Sequence, residues 1–176
     1  RMLAVDGRGR IIDGDHVLYL WGKTLQDRNE LPQNRLIATV MSNLGFEKSW
    51  KDRGGLLERT PVGDQNIYAE MIEKGAALGG EQSGHILSEA HGMSGDGLLT
   101  ALQMSTICHS KNLKLEEWRE ESFTAFPQKL VNISIPKTSS LKRWQDCESI
   151  QKALSKAHAS MGKNGRILLR ASGTEP

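Results

Sequence analysis

The sequence predicts two consecutive folded parts, an α/β domain followed by a truncated α+β C-terminal domain. Expected strands and helices alternate from residue 35 to residue 109, and this alternation is the order that builds an α/β domain. A strand, a helix and a second strand follow from residue 131 to residue 170, and the sequence stops soon afterwards. Each element is assigned from hydrophobic spacing and from the turn or cap residues that bound it.

The N-terminal residues predict a hairpin followed by a helix. Met2–Val5 and Arg10–Ile12 are expected to form short strands around the turn Asp6–Gly9, whose composition favours a hairpin. Asp13-Gly14-Asp15 then places acidic residues at the positive end of a helix over His16–Leu25. The same two aspartates could be read as a metal site. They lack the further oxygen ligands of a calcium loop, so the helix cap is favoured.

The central block alternates strands with helices. Strands are expected at 35–41 and 56–62, and a helix at 46–53 is expected to end at a glycine pair. Residues 76–80 are expected to lead into a glycine-rich loop. The residues that mark the helical faces of this block are Ile67, Met71 and Ile72 before Gly75, and Leu98, Leu102 and Ser105 within a helix at 98–109.

The last block predicts a strand, a helix and a second strand. Val131, Ile133 and Ile135 alternate with polar residues, which indicates a half-exposed strand. An apolar stripe then predicts a helix that Asp146 caps and Gly162 ends, followed by a strand at 166–170. The stripe consists of Ile150, Leu154, Ala157 and Met161.

Composition fits a soluble globular protein, in which an anionic small molecule would need only a local basic site. Apolar residues make up 38% and charged residues 25% of the 176 residues, with a net charge of +2. That balance, with few aromatic residues, argues against nucleic acid as the ligand. Cys108 and Cys147 are far apart in sequence and are expected to be free thiols. Apolar runs stay well short of the roughly 18 residues that span a bilayer, so no membrane partner is expected.

A glycine-rich loop, Gly79–His85, is the first candidate site. Its glycines allow close approach of the backbone to a ligand. Glu81 can accept two hydroxyl hydrogen bonds, while Ser83 and His85 can donate or accept, a set that suits a polyhydroxylated ligand such as a sugar. A polar surface turn is the alternative, and on this loop alone it is the better interpretation.

Two further loops carry donors suited to an anion. Arg170, Ser172, Gly173 and Thr174 combine a guanidinium, two hydroxyls and a flexible backbone, which is typical of a phosphate clamp. A plain strand-to-loop turn explains these residues about equally well. Thr60–Asp64 lies between a strand and a helix, where α/β proteins place ligand loops. Taken alone, Gly63 and Asp64 are better explained as a turn and a helix cap.

The remaining motifs predict structure rather than chemistry. Residues 92–97 contain three glycines but match neither of the common nucleotide-binding patterns, so Asp96 is expected to cap the next helix. The other four histidines stand in no metal-ligand or catalytic-triad pattern, namely His16, His91, His109 and His158.

The three loops, in this order and spacing, resemble the active-site loops of the α-D-phosphohexomutases. Gly80–His85 is similar to the family's sugar-binding loop, Arg170–Pro176 to its phosphate-binding loop and Thr60–Asp64 to its third active-site loop. Gln82, together with Val62-Gly63-Asp64, is similar to the bacterial branch that acts on glucosamine phosphates. The resemblance runs over essentially the whole chain and implies a phosphoglucomutase-like mixed sheet with helices on both sides.

The resemblance also implies a division of the chain into family domains. Residues 1–30 would be the end of domain 2, residues 31–115 would be domain 3, and residues 116–176 would be a truncated domain 4. The catalytic phosphoserine and the Mg²⁺ ligands would then precede Arg1, so no catalytic or metal residue is expected in this chain. A fragment of this kind is expected to be inactive alone.

The implied activity is the interconversion of glucosamine 6-phosphate and glucosamine 1-phosphate, with a glucosamine 1,6-bisphosphate intermediate, for amino-sugar and cell-wall precursor synthesis. The resemblance assigns sugar binding to Glu81, Ser83, His85, Gly63 and Asp64, and phosphate binding to the Arg170 loop. A cytoplasmic homodimer is expected. The alternatives are a mutase for mannose or glucose phosphates, or a non-catalytic sugar-phosphate binding module.

Overall fold

The structure is a computed structural model that describes residues 1–134 and 141–171. The chain divides into two compact units, Arg1–Phe126 and Pro127–Pro176. The division predicted at residues 30 and 115 concerns the domains of a longer protein and stays a prediction.

Strands and helices alternate through the first unit. The described strands are β1 (Ala4–Val5), β2 (Ile11–Ile12), β3 (Arg35–Thr39), β4 (Leu56–Thr60), β5 (Leu78–Gly80) and β6 (Ile86–Ser88). The described α-helices are α1 (Gly14–Asp27), α2 (Leu44–Asp52), α3 (Asp64–Lys74), α4 (Gly97–Ser110), α5 (Leu115–Glu120) and, in the second unit, α6 (Glu148–Met161). Short 3-10 helices lie at Pro32–Asn34, Glu89–His91, Leu141–Asp146 and Gly162–Asn164.

The central sheet is mixed, as the resemblance implies. Its strand order is β4-β3-β5-β6, with β4 and β5 parallel to β3 and β6 antiparallel to β5. Residues 76–80 lead into the glycine-rich loop as expected, and Leu78–Gly80 does so as strand β5, which the sequence did not indicate. Gly79 is needed there, since a Cβ atom on it would lie 2.7 Å from the Ile67 side chain.

Helices cover both faces of this sheet, which confirms the predicted fold class. On one face, Leu36 and Leu78 pack with residues of α1 and α2. On the other face, Ile37 and Leu87 pack against Ile67 and Met71 of α3. Ile37 faces this side because successive residues of a strand, here Leu36 and Ile37, point to opposite faces of the sheet. The Trp50 indole is fully buried, and its Nε1–H donates to the carbonyl oxygens of residues 34 and 56.

The N-terminal hairpin and its turn are confirmed. β1 pairs antiparallel with β2, with Ala4 opposite Ile12. Gly9 has a φ of 77°, which a side chain rarely adopts, and its N–H donates to the Asp6 carbonyl oxygen at 2.9 Å. The Asp6 carboxylate also accepts from the N–H of Arg10 at 2.8 Å. Local turn chemistry therefore closes the hairpin.

Two predicted helical faces are wrong in part. Leu98 and Leu102 of α4 are 72% and 59% exposed, whereas Thr100, Met104 and Ile107 form its buried side. Ile72 is 62% exposed, although its neighbours Ile67 and Met71 are buried as expected. The helix α4 itself carries apolar residues on several of its sides, so their spacing alone does not determine which side packs against the rest of the unit.

The described residues of the second unit contain α6 but no strand. The predicted helix is confirmed, and Gly162 ends it with a φ of 57°. Its N-cap is Cys147 rather than Asp146, which belongs to the preceding 3-10 helix. Residues 131–134 and 166–170 are irregular, because a strand requires ladder partners and the described part of this unit supplies none. Ile135 lies outside the described residues.

Candidate functional site

The loops that follow β3, β4 and β5 meet at one edge of the sheet because these three strands are parallel. β3 ends at Thr39, β4 at Thr60 and β5 at Gly80. The carboxyl ends of parallel strands lie at the same edge, which is where open α/β sheets bind ligands. The predicted third loop and the predicted sugar-binding loop therefore come together, although about twenty residues separate them in sequence.

Glu81 joins these two loops directly. Its side chain accepts a hydrogen bond from the Gly63 N–H at Oε1, 3.0 Å, and from the Ser83 hydroxyl at Oε2, 2.9 Å. Glu81 is only 7% exposed, so its carboxylate is held in a defined position. Gly63 has a φ of 126°, a conformation that favours glycine. The structure thus brings together Gly63, Glu81 and Ser83 from the predicted site residues.

A cleft of about 360 Å³ opens beside the Glu81 carboxylate. Polar groups and apolar side chains both line it, which suits a hexose because a sugar ring has hydroxyl edges and carbon–hydrogen faces. The lining includes Leu3, Asp13, Thr39, Val62, Glu81 and Ser83. Sequence reasoning did not assign Leu3, Asp13 or Thr39 to a site, since they lie outside the three loops.

Asp13 caps α1, as predicted, and also reaches the predicted sugar-binding loop. Its Oδ1 accepts from the backbone N–H of His16 at 3.2 Å and lies 2.6 Å from the ring Nδ1 of the same residue. Its Oδ2 accepts from the Gln82 side-chain amide at 3.2 Å. The backbone N–H of Gly14 adds a bond to the Gln82 carbonyl oxygen at 2.9 Å. The first turn of α1 therefore contacts the loop through two neighbouring residues.

The two aspartates of this turn lie in opposite electrostatic environments. Burial acts to raise the pKa of Asp13, but hydrogen bonds and charge from His16, with the Gln82 amide, bring it below its ordinary value. Asp15 is fully buried, and this burial raises its pKa to about 6 despite a hydrogen bond from the Asn43 N–H at 2.8 Å. In the described parts of the chain, no group of three or more His, Cys, Asp or Glu side chains is placed to hold a metal ion.

His85 and Asp64 are also predicted sugar-binding residues, but they lie outside the set of residues that lines the cleft. The His85 ring packs so closely on the 92–97 loop that a Cβ atom on Gly95 would overlap it. The His85 carbonyl oxygen accepts from the Glu81 N–H at 2.9 Å, which closes the turn of the loop. Asp64 is exposed at the start of α3, where its Oδ1 accepts from the N–H of Gln65 at 3.0 Å.

The predicted phosphate-binding loop belongs to the second unit and is described only at its first residues. Arg170 is exposed, and its Nη1 donates to the carbonyl oxygen of Ala171 at 3.2 Å. Ser172, Gly173 and Thr174 lie outside the described residues. The phosphate-binding role of this loop therefore stays a prediction.

Comparison with known families accounts for nearly the whole chain. Residues 13–126 match the model for the phosphoglucomutase/phosphomannomutase alpha/beta/alpha domain III, and residues 130–176 match the model for the C-terminal domain of the same family. The chain belongs to the phosphoglucomutase/phosphomannomutase family, as the resemblance of its loops predicts. Within this family it is similar to the phosphoglucosamine mutases.

That similarity extends over all 176 residues. The chain is 66% identical to the phosphoglucosamine mutase of Prochlorococcus marinus (strain MIT 9313) and 57% identical to that of Synechococcus sp. (strain RCC307). Each match covers 100% of this chain and 38% of the relative. The chain thus spans well under half the length of these curated relatives.

Solved structures support the same fold. A phosphoglucomutase/phosphomannomutase family protein from Burkholderia thailandensis matches with a TM-score of 0.60 and 25% identity, over 67% of this chain and 26% of that one. The N-acetylphosphoglucosamine mutase of Aspergillus fumigatus matches with a TM-score of 0.75 and 20% identity, over 98% of this chain and 40% of that one. The described helices include none with the length and apolar character required to cross a membrane.

Proposed function

We propose that the complete protein containing this chain interconverts glucosamine 6-phosphate and glucosamine 1-phosphate, and that this chain supplies sugar and phosphate recognition. The observation that carries the proposal is the 57–66% identity to phosphoglucosamine mutases over the whole chain. The reaction would proceed through a phosphoserine and glucosamine 1,6-bisphosphate, and its product would serve amino-sugar and cell-wall precursor synthesis. A cytoplasmic location and a homodimer remain predictions.

The Glu81 carboxylate is the proposed reader of the sugar hydroxyls. Each of its oxygens accepts one hydrogen bond, from Gly63 or from Ser83, and a carboxylate oxygen can accept more than one. The remaining acceptor positions would bind hydroxyl groups of a hexose in the adjoining cleft. Ser83 would add a hydroxyl at the cleft wall, while His85 and Asp64 would contact the sugar or its phosphate from the borders of the two loops.

The second unit is proposed to bind the phosphate group that does not react. Arg170 presents a guanidinium that can form two parallel hydrogen bonds with phosphate oxygens. Ser172, Gly173 and Thr174 would contribute two hydroxyls and backbone N–H groups. The phosphoserine and the Mg²⁺ ligands would lie outside this chain, and bound Mg²⁺ would offset negative charge on the transferring phosphate. Positioning of both ends of the substrate is therefore the proposed contribution of this chain.

A grafted enzyme tests the proposal. We define the grafted enzyme as the Prochlorococcus marinus relative in which the matching segment, 38% of its length, is replaced by this chain. It should convert glucosamine 6-phosphate at a rate close to that of the unaltered relative, whereas the 176-residue chain alone should show no turnover. Glucose and mannose phosphates should be much poorer substrates, and a preference for either would favour the alternative mutases.

Glu81→Gln in the grafted enzyme tests the sugar-binding role. The amide keeps the size of the side chain and can bond to both Gly63 and Ser83, but it loses the charge and one acceptor. Loss of a charge-assisted hydrogen bond typically costs about 1.5–3 kcal/mol, so kcat/KM should fall about 10- to 100-fold. Glu73→Gln, an exposed glutamate on α3, is the matched control. Equal kcat/KM in the two variants would contradict the assignment.

A further inference from the structure

The first turn of α1 holds Gln82 at both its backbone and its side chain. The Gly14 N–H donates to the Gln82 carbonyl oxygen at 2.9 Å, and the Gln82 amide donates to Asp13 Oδ2 at 3.2 Å. A Cβ atom on Gly14 would lie only 1.9 Å from the Glu81 carbonyl oxygen, so the helix and the loop approach as closely as glycine permits. Two hydrogen bonds therefore hold Gln82, which directly follows Glu81, the residue proposed to bind the sugar hydroxyls.

Asp13 does more than an N-cap requires. A cap needs one side-chain oxygen, as Asp96 shows at the start of α4, where Oδ1 alone accepts from two backbone N–H groups. Asp13 caps α1 with Oδ1 and directs Oδ2 to the loop. The ring of His16, 2.6 Å from Oδ1, holds the carboxylate from the other side and is itself stacked on Phe123 at 4.9 Å. The carboxylate is thus fixed before any ligand arrives.

We propose that Asp13 is a positioning residue for sugar recognition, acting through Gln82 to hold the Glu81 carboxylate at the cleft. This inference rests on the proposed function. Because residues 81 and 82 are consecutive, a fixed Gln82 limits the backbone orientations open to Glu81. Without the Asp13 contact, the loop samples more conformations and binds the sugar less tightly. The loop contacts the sugar both before and during phosphate transfer, so the loss should raise KM and leave kcat within about twofold.

A double-mutant cycle in the grafted enzyme separates this role from helix capping. Asp13→Ser keeps a good N-cap but is too short to reach Gln82. Gln82→Met removes the amide and leaves the cap intact. Each change should raise the KM for glucosamine 6-phosphate about tenfold, and the double variant should be no worse than the poorer single variant, because both changes remove the same Asp13–Gln82 contact. Asp96→Ser is the matched cap control and should leave KM unchanged.

The outcomes distinguish a failure of the role of Asp13 from a failure of the proposed function. Additive effects of the two changes, or an unchanged KM in Gln82→Met, would overturn the role of Asp13 even if Asp13→Ser folds poorly, since Gln82→Met leaves the helix start intact. A fall in kcat with an unchanged KM would overturn it as well. A grafted enzyme that lacks turnover before any substitution would contradict the proposed function, and the role of Asp13 would be rejected with it. Non-additive increases in KM would support both the proposed function and the role of Asp13.

Discussion

Asp15→Asn should make the first unit more stable, and increasingly so as the pH rises. The Asp15 carboxylate is fully buried, and its Oδ2 accepts from the N–H of Asn43 at 2.8 Å. Burial outweighs this hydrogen bond and raises the pKa of Asp15 to about 6. An asparagine keeps the size and an acceptor oxygen while it removes the ionisable group.

The size of the effect follows from the two protonation equilibria. The unfolded chain loses this proton near the ordinary pKa of 3.8, whereas the folded chain retains it until about pH 6. The contribution of the protonated Asp15 side chain to the free energy of unfolding is therefore fully present below pH 3.8 and is lost as the pH rises through 6. Since one pKa unit corresponds to about 1.4 kcal/mol, the total loss is about 3 kcal/mol, of which about 2 kcal/mol falls between pH 4.5 and pH 8.

Urea unfolding at a series of pH values measures this difference. The fluorescence of buried Trp50 and Trp118 reports on the first unit, and both Asp15→Asn and the unaltered chain are followed from pH 4.5 to pH 8. The free energy of unfolding of the variant, relative to the unaltered chain, should increase by about 2 kcal/mol over this range. Asp64→Asn, at an exposed position, controls for the substitution itself. A difference that stays constant or declines with pH would refute the reasoning.

Two further substitutions test the phosphate loop and the contact at Gly14. Arg170→Ala in the grafted enzyme should raise the KM for glucosamine 6-phosphate about 10- to 100-fold, because a charge-assisted phosphate contact is lost; kinetics equal to those of the exposed control Lys163→Ala would remove Arg170 from the site. Gly14→Ala should destabilise the chain by about 1–3 kcal/mol in urea unfolding, because its Cβ atom would overlap the Glu81 carbonyl oxygen. A loss of unfolding free energy no larger than that of Gln65→Ala, in the exposed first turn of α3, would show that the loop at Glu81 shifts to accommodate the added methyl group.

Features that depend on neighbouring residues in sequence were predictable. The hairpin at Asp6–Gly9, the Asp13 cap and the stop of α3 at Gly75 all follow from local backbone chemistry. Gly75 adopts a left-handed conformation with a φ of 60°, which is the reason a glycine marks that helix end. Such signals need no knowledge of the rest of the fold, and the structure reproduces them within a few residues.

Features that depend on distant partners were not predictable. β5 contains Gly79 and Gly80, which are uncommon in strands, and its ladder exists because β3 lies beside it. The buried side of α4 depends on what packs against it, so the sequence favoured Leu98 and Leu102 although both are exposed. The dual role of Asp13 joins residues 69 positions apart. In contrast, the contact between Glu81 and Ser83 joins residues only two positions apart, so the sequence could indicate a polar cluster there.

The first turn of α1 has to satisfy the cleft and the core at once, and the two aspartates divide this task. Asp13 meets donors from His16 and Gln82, which favour its charged form, whereas Asp15 is enclosed by the core, which favours its neutral form. The charge of Asp13 also contributes to the raised pKa of Asp15. Below about pH 6, a single carboxylate charge is therefore favoured at this turn, and it lies on Asp13, the residue that contacts the proposed sugar-binding loop. The distribution of charge at the start of α1 and the hydrogen bonds there thus both favour the contact between Asp13 and the loop.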